Sequence, residues 1–143
     1  MTTEFNRQLI DIYLSAPINQ SYKPKMTLKK GSATISTTVQ NIHFHAANYL
    51  HGSAIFKLLD DAAYFSAQSI ETTYFLVTSS FNTHFIRPEN SGILTATGHI
   101  IDETKTQIIA KSNIKNDAGK LVAYGSGCFM KSNIKLDSLH HQL

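Results

Sequence analysis

HGSAIFKLLDDAAYFSAQ, residues 51–68, has the spacing of a helix and almost no polar face. Ala54, Ile55, Phe56, Leu58, Leu59, Ala62, Ala63 and Phe65 surround its axis. A helix apolar nearly all round belongs in the middle of a fold, not on its surface. Two adjacent carboxylates, Asp60 and Asp61, interrupt it. Burying an unpaired carboxylate is costly, so each needs a structural partner or a chemical task.

The flanks read as one further helix and a set of strands. Residues 1–17 carry Phe5, Leu9, Ile12 and Tyr13 at helical spacing, with Thr2 or Thr3 as cap and Pro17 after the end. INQSYKPK, residues 18–25, reads as a loop. Residues 26–44 favour one extended strand with a bulge or break at Gly31. Four more strands follow, over 75–87, 93–102, 107–115 and 121–131, separated by ENSG, ETKT and NDAGK turns. On the first of these, Phe75, Val77, Ser79, Phe81, Thr83 and Phe85 alternate with the opposite face. Gly125 and Gly127 share a face with Leu121, Ala123 and Phe129, which leaves room for something to approach the sheet. Residues 133–143 read as a disordered tail, with His140 and His141 on the surface. The pattern gives one α+β domain over residues 1–143: an antiparallel sheet of five or six strands around a central helix. The edges of such a sheet need cover, which predicts a homodimer or homotetramer.

Composition narrows the function. The chain is 42% hydrophobic and 16% charged, so it is not a disordered segment. Nothing approaches the ~20 apolar residues of a membrane span. Glu4 and Asp11 inside the apolar pattern of the first residues argue against a secretory signal. The single Cys128 excludes an internal disulfide and fits a reducing, cytoplasmic setting. The net charge of +3 comes from scattered lysines. A solvated surface accounts for it first and an anionic small ligand second; no basic run interleaved with aromatics points to nucleic acid.

The candidate chemistry sits at two places on the helix. His51 and Gly52 stand at its start, where free N–H groups and a partial positive charge favour an anion. Gly52 can offer its N–H to a developing oxyanion, or His51 can simply cap the helix. Asp60 lies nine residues after His51, about 13.5 Å along the axis. It cannot reach the start of its own helix, so a site using both needs a second molecule alongside. The alternative for Asp60 is a buried salt bridge or a cap. Asp61 points about 100° further round, and nothing in the spacing ranks the pair. His43 and His45 form an H-x-H pair near His51. No Cys or carboxylate completes a zinc set there, so no metal is assigned.

LHGSAIFKLLDDAA resembles the signature of the PaaI-like (phenylacetate-pathway type) hotdog-fold thioesterases, whose motif places an Asp nine residues after a His-Gly pair. VTSSFNTHFIRP is similar to their long central strand, and DAGKLVAYGSGCF to their last hairpin and strand. The resemblance implies a hotdog fold and hydrolysis of acyl-CoA at a subunit interface, with coenzyme A as part of the substrate and no separate cofactor. It implies Asp60 as general base or nucleophile, His51 and Gly52 as the carbonyl-polarising group, and Thr78 as the residue that orients water or base. Ser53 replaces the motif's second glycine, and His45 stands where an Asn is usual; His45 can donate a similar hydrogen bond. Arg87, Lys111 and Lys131 are the cations offered to the CoA phosphates, and Tyr64, Phe65, Phe81 and Phe85 suggest an apolar lining. Three other classes compete: a non-catalytic acyl-CoA-binding protein, a hotdog hydratase or dehydratase, and, ranked last because of the buried carboxylates, a structural dimer with no ligand.

Overall fold

The computed structural model describes residues 3–140, in the order α1 (Glu4–Ser15), α2 (Asn19–Tyr22), β1 (Lys25–Lys29), β2 (Ser32–Thr38), α3 (Gly52–Gln68), β3 (Tyr74–Phe85), β4 (Ile93–Glu103), β5 (Gln107–Lys115), β6 (Leu121–Lys135) and α4 (Asp137–His140). The strands form one antiparallel sheet in the order β1-β2-β4-β5-β6-β3. The hotdog α+β architecture anticipated from the sequence is what the chain adopts, with α3 against the sheet's inner face. Among the described residues no helix is long and apolar enough to cross a membrane.

α3 lies directly on the sheet because Gly98 has no side chain. A Cβ built there would come 2.1 Å from the Ala62 carbonyl oxygen. Ile55, Leu58, Leu59 and Ala62 then pack on Ile35, Leu94, Ala96, Ile114 and Val122. Ser112 donates from Oγ to the Leu59 carbonyl at 2.7 Å, which satisfies the one hydroxyl facing the helix there. Gly125 and Gly127 do leave room, and the ring of Phe81 fills it: Cβ atoms built at the two glycines would come 2.7 and 2.5 Å from it.

The first extended stretch is two strands, not one. Gly31 takes φ +83, a left-handed conformation that closes a tight turn between β1 and β2. Residues 41–43 then form a short 3-10 turn, which removes His43 and His45 from any common strand face. The segment read as a loop after α1 contains α2, ended by Lys23 at φ 50. Thr3 is the α1 cap, its Oγ1 accepting from the Asn6 N–H at 3.1 Å; Thr2 lies outside the described residues.

The disordered tail expected from residue 133 is a correction for residues 133–140. β6 runs to Lys135 and α4 follows, because Leu136 is buried in the core and its N–H reaches the Thr73 carbonyl at 2.9 Å. His141 lies outside the described residues.

The strict alternation expected along β3 also fails, and the failure matters. The register with β6 slips between Thr78 and Ser80. Ser79 is the extra residue of a bulge, with its Oγ donating to the Cys128 carbonyl at 3.1 Å. Before the bulge Leu76 and Thr78 face α3; after it Phe81, Thr83 and Phe85 do. One strand thus presents Thr78 to the middle of α3 and Phe85 to its start.

Candidate active site

The two adjacent carboxylates have separate surroundings. Asp61 Oδ2 accepts from the Tyr13 hydroxyl at 2.7 Å and from Lys57 Nζ at 2.5 Å. Lys57 also donates to Asn19 Oδ1 at 2.6 Å, and Asn19 Nδ2 donates to the Tyr13 carbonyl at 2.7 Å. These bonds tie α1 and α2 to α3. Burial pushes the Asp61 carboxyl up, while the Lys57 ammonium and Tyr13 hydroxyl pull it back down. Its partners use it as a structural ion.

Among the described residues Asp60 has one hydrogen-bond partner. Its Oδ1 accepts from Thr78 Oγ1 at 3.0 Å. Burial raises its pKa to about 6, opposed by the Thr78 hydrogen bond. A carboxylate with that affinity is ionised at neutral pH and basic enough to take a proton from water. Asp60 and Thr78 open on a cavity of about 400 Å³, bounded by α1, α2, α3 and the start of β3.

Two residues that carry no motif hold Thr78 in place. Tyr64 donates from its hydroxyl to the Leu76 carbonyl at 2.9 Å. Gln68, almost fully buried, accepts from the Leu76 N–H at 2.9 Å and donates to the Tyr74 carbonyl at 3.0 Å. Asp60, Tyr64 and Gln68 recur every four residues, so one helix face grips the first half of β3. That spacing was the available signal, as was the four-residue step from Lys57 to Asp61.

The start of α3 is a second pocket, of about 270 Å³, lined by His45, Gly52, Phe85 and Arg87 among others. His51 caps the helix: its Nδ1 accepts from the Ser53 N–H at 3.0 Å and sits 2.8 Å from Ser53 Oγ. Ser53, the departure from the glycine pair, therefore serves the cap. Among the described residues the Gly52 N–H has no hydrogen-bond partner. The Phe85 ring lies 3.4 Å from where a Gly52 Cβ would stand. His45 closes a turn, its Nδ1 accepting from the Ala47 N–H at 3.0 Å.

The chain therefore brings Asp60 to Thr78, and Gly52 to His45 and Arg87, but it leaves the two groups in separate pockets. Arg87 donates to the Leu121 carbonyl at 2.6 Å. Lys131 lies 3.2 Å from Glu71 as an ion pair. Lys111 points from β5 to the sheet's outer face, in a groove with His84, His99 and Tyr124. His43 stacks on Tyr22 with ring centroids 3.8 Å apart, and its carbonyl accepts from the His51 N–H at 2.9 Å.

Comparison with known proteins fits this architecture. The backbone matches the E. coli PaaI protein of the phenylacetic acid degradation operon, with TM-score 0.82 and 22% identity over 90% of this chain and 94% of that one. It also matches a mutant of a thioesterase enzyme from Staphylococcus aureus, with TM-score 0.74 and 26% identity over 80% of this chain and 98% of that one. A mutant of a hypothetical thioesterase protein from Streptococcus pneumoniae matches with TM-score 0.71 and 17% identity over 76% and 89%. No curated protein matches in sequence. The family model described as the Thioesterase superfamily matches residues 47–123, which hold Gly52, Asp60, Thr78 and Arg87. The chain belongs to the thioesterase superfamily.

Proposed function

We propose that the protein hydrolyses acyl-CoA thioesters at sites shared between two copies of the chain, with Asp60 of one copy as general base and the Gly52 N–H of the other as oxyanion donor. The observation that carries this is the course of β3. It is an edge strand of twelve residues, next to β6 only, with Val77 and Phe85 exposed. Such an edge is an open template for another strand. Pairing two copies of β3 antiparallel with Asn82 opposite Asn82 sets Phe81 opposite Thr83, both on the inward face, and the bulge at Ser79 then brings Thr78 of one copy opposite Phe85 of the other. Thr78 touches Asp60 and Phe85 touches Gly52. The two half-sites then meet across a strand spacing of about 4.8 Å, and each dimer has two sites.

The chemistry follows from those groups. The thioester oxygen accepts from Gly52, which polarises the carbonyl. Asp60, aligned by Thr78, removes a proton from water as the oxygen adds to the carbonyl carbon. The tetrahedral anion collapses, the carbon–sulfur bond breaks, and the CoA thiolate takes the proton that Asp60 removed from water, which restores the Asp60 carboxylate and leaves a carboxylic acid. Arg87 borders the Gly52 pocket and is the cation best placed for CoA phosphates; Lys111 and Lys131 lie away from it.

The test is thiol release from a panel of acyl-CoAs, read with a thiol dye. Release that saturates with substrate and needs Asp60 supports hydrolysis. Saturable binding without release supports an acyl-CoA-binding protein instead, and a change at an enoyl chromophore supports a hydratase.

A further inference from the structure

We infer that α1 and α2 form the wall that selects the acyl group, admitting an uncharged apolar tail into the cavity beside Asp60. The inference rests on the thioesterase reading and names its substrate class. Three observations carry it.

The first is shape and lining. The cavity opens at Asp60 and Thr78, where the reacting carbon would stand, and runs between Ile12, Ala16 and Ile18 on one side and Phe65, Phe75 and Val77 on the other. Most apolar residues on a folded surface need no explanation, but a concave apolar surface ending at a base does. Ile18 is 60% exposed and Val77 43%, both on this cavity.

The second is charge. The polar groups that border the cavity are bonded to each other. Lys57 is held by Asp61 and Asn19, and Asp61 by Lys57 and Tyr13. The Tyr64 hydroxyl is turned to Leu76 and Gln68. Among the described residues that border the cavity, a carboxylate at the far end of an acyl chain would find no available cation, and it would lose its water, which is unfavourable. Asp60 at the mouth adds repulsion.

The third is how the wall is fixed. Tyr13 and Asn19 hydrogen-bond to α3 through Asp61 and Lys57, the Tyr13 ring packs edge-on against Phe65 of α3 with centroids 4.9 Å apart, and Ala16 lies between Tyr13 and Asn19 at the end of α1. Asp61 thus sets the width of the cavity while its neighbour does the chemistry. It is a positioning residue.

The experiment uses the full chain and two variants. Ala16→Leu fills the cavity, and each methylene kept from the wall lowers kcat/KM about fourfold. Over saturated acyl-CoAs from acetyl to dodecanoyl, the octanoyl-to-acetyl ratio of kcat/KM should fall about tenfold or more in this variant. A ratio held within about twofold overturns the inference. Ile18→Lys changes an exposed residue and carries little risk to folding. It adds an available cation, so the glutaryl-to-pentanoyl ratio should rise about threefold or more; an unchanged ratio overturns the inference. Binding of S-alkyl-CoA thioethers of increasing length, followed by calorimetry, reads the wall without hydrolysis. If the parent binds longer thioethers more tightly, loses this in Ala16→Leu, and cleaves no thioester, the wall stands and the hydrolase reading falls. If the parent cleaves thioesters but chain length and Ala16→Leu change nothing, the hydrolase reading stands and the wall falls.

Discussion

The two pockets along α3 differ in what they lack. At the start of the helix the Gly52 N–H is, among the described residues, a donor without an acceptor, beside Phe85 and Arg87. Eight residues on, Asp60 is a half-buried carboxylate with, among the described residues, a single side-chain donor, and burial has raised its pKa to about 6. One pocket is polarised to receive negative charge and the other to receive a proton. Under the proposed reading each is half of a site, and each has what the other lacks. The helix that carries both keeps them about 12 Å apart, so a helix cannot join its own halves. An edge strand shared with a second copy can. The same contrast separates Asp60 from Asp61, whose partners leave it no capacity for chemistry.

Breaking the carboxylate half should have the largest effect. Asp60→Asn should lower turnover by about 10²–10⁴-fold, measured as thiol release per folded protein. The same change should stabilise the protein. A folded-state pKa raised from 3.8 to about 6 means the carboxyl contributes stability at low pH that is lost as pH rises through about 6. At pH near 8 the variant should gain roughly 1–2 kcal/mol, after allowance for solvent screening, and the gain should vanish near pH 4 in parallel thermal melts.

Breaking the donor half comes next. Gly52→Pro deletes one N–H at the first helical position, where proline is well tolerated. It should cost about 10²–10³-fold in kcat with an unchanged circular dichroism spectrum. A parental rate would remove Gly52 from the account.

Thr78→Val sharpens the contrast rather than breaking it. The Thr78 hydrogen bond lowers the Asp60 pKa, so its loss should raise it further. For the parent, kcat/KM should climb with pH to a plateau above about 6, as ionised Asp60 accumulates. In the variant that limb should move to higher pH and the plateau fall about tenfold. A limb that stays in place means Thr78 does not act through Asp60.

Asp61→Asn should have the smallest effect on the rate of a short-chain substrate and the opposite effect on stability from Asp60→Asn. It leaves Lys57 without its buried counter-ion, at a cost of about 3 kcal/mol in denaturant unfolding. Equal losses of turnover in the two Asn variants would end the division of labour between the neighbours.

Much of this was legible in the chain. The apolar helix around two acids gave the fold's centre, and the nine-residue step from His51 to Asp60 already kept the helix start and Asp60 of one helix from meeting. Other features depend on contacts far apart in sequence. Tyr13 lies 48 residues from Asp61, so the structural role of Asp61 could not be read from local pattern. The bulge at Ser79 has no glycine or proline to mark it, yet it reverses the inward face of β3 and so delivers both Thr78 and Phe85 to α3. The extension of β6 beyond Lys131 depends on Leu136 finding the core. The side of the sheet on which Lys111 falls needed the register of β5, which sequence alone did not fix.

Subunit complementation tests the shared site most directly. Asp60→Asn and Gly52→Pro proteins are each nearly inactive under this account. Mixed in equal amounts and allowed to exchange subunits, half the dimers contain one of each, and each of those holds one intact site. Activity should return to about a quarter of the parental value. If exchange is demonstrated by differently tagged chains and no activity returns, the base and the oxyanion donor do not meet across the interface.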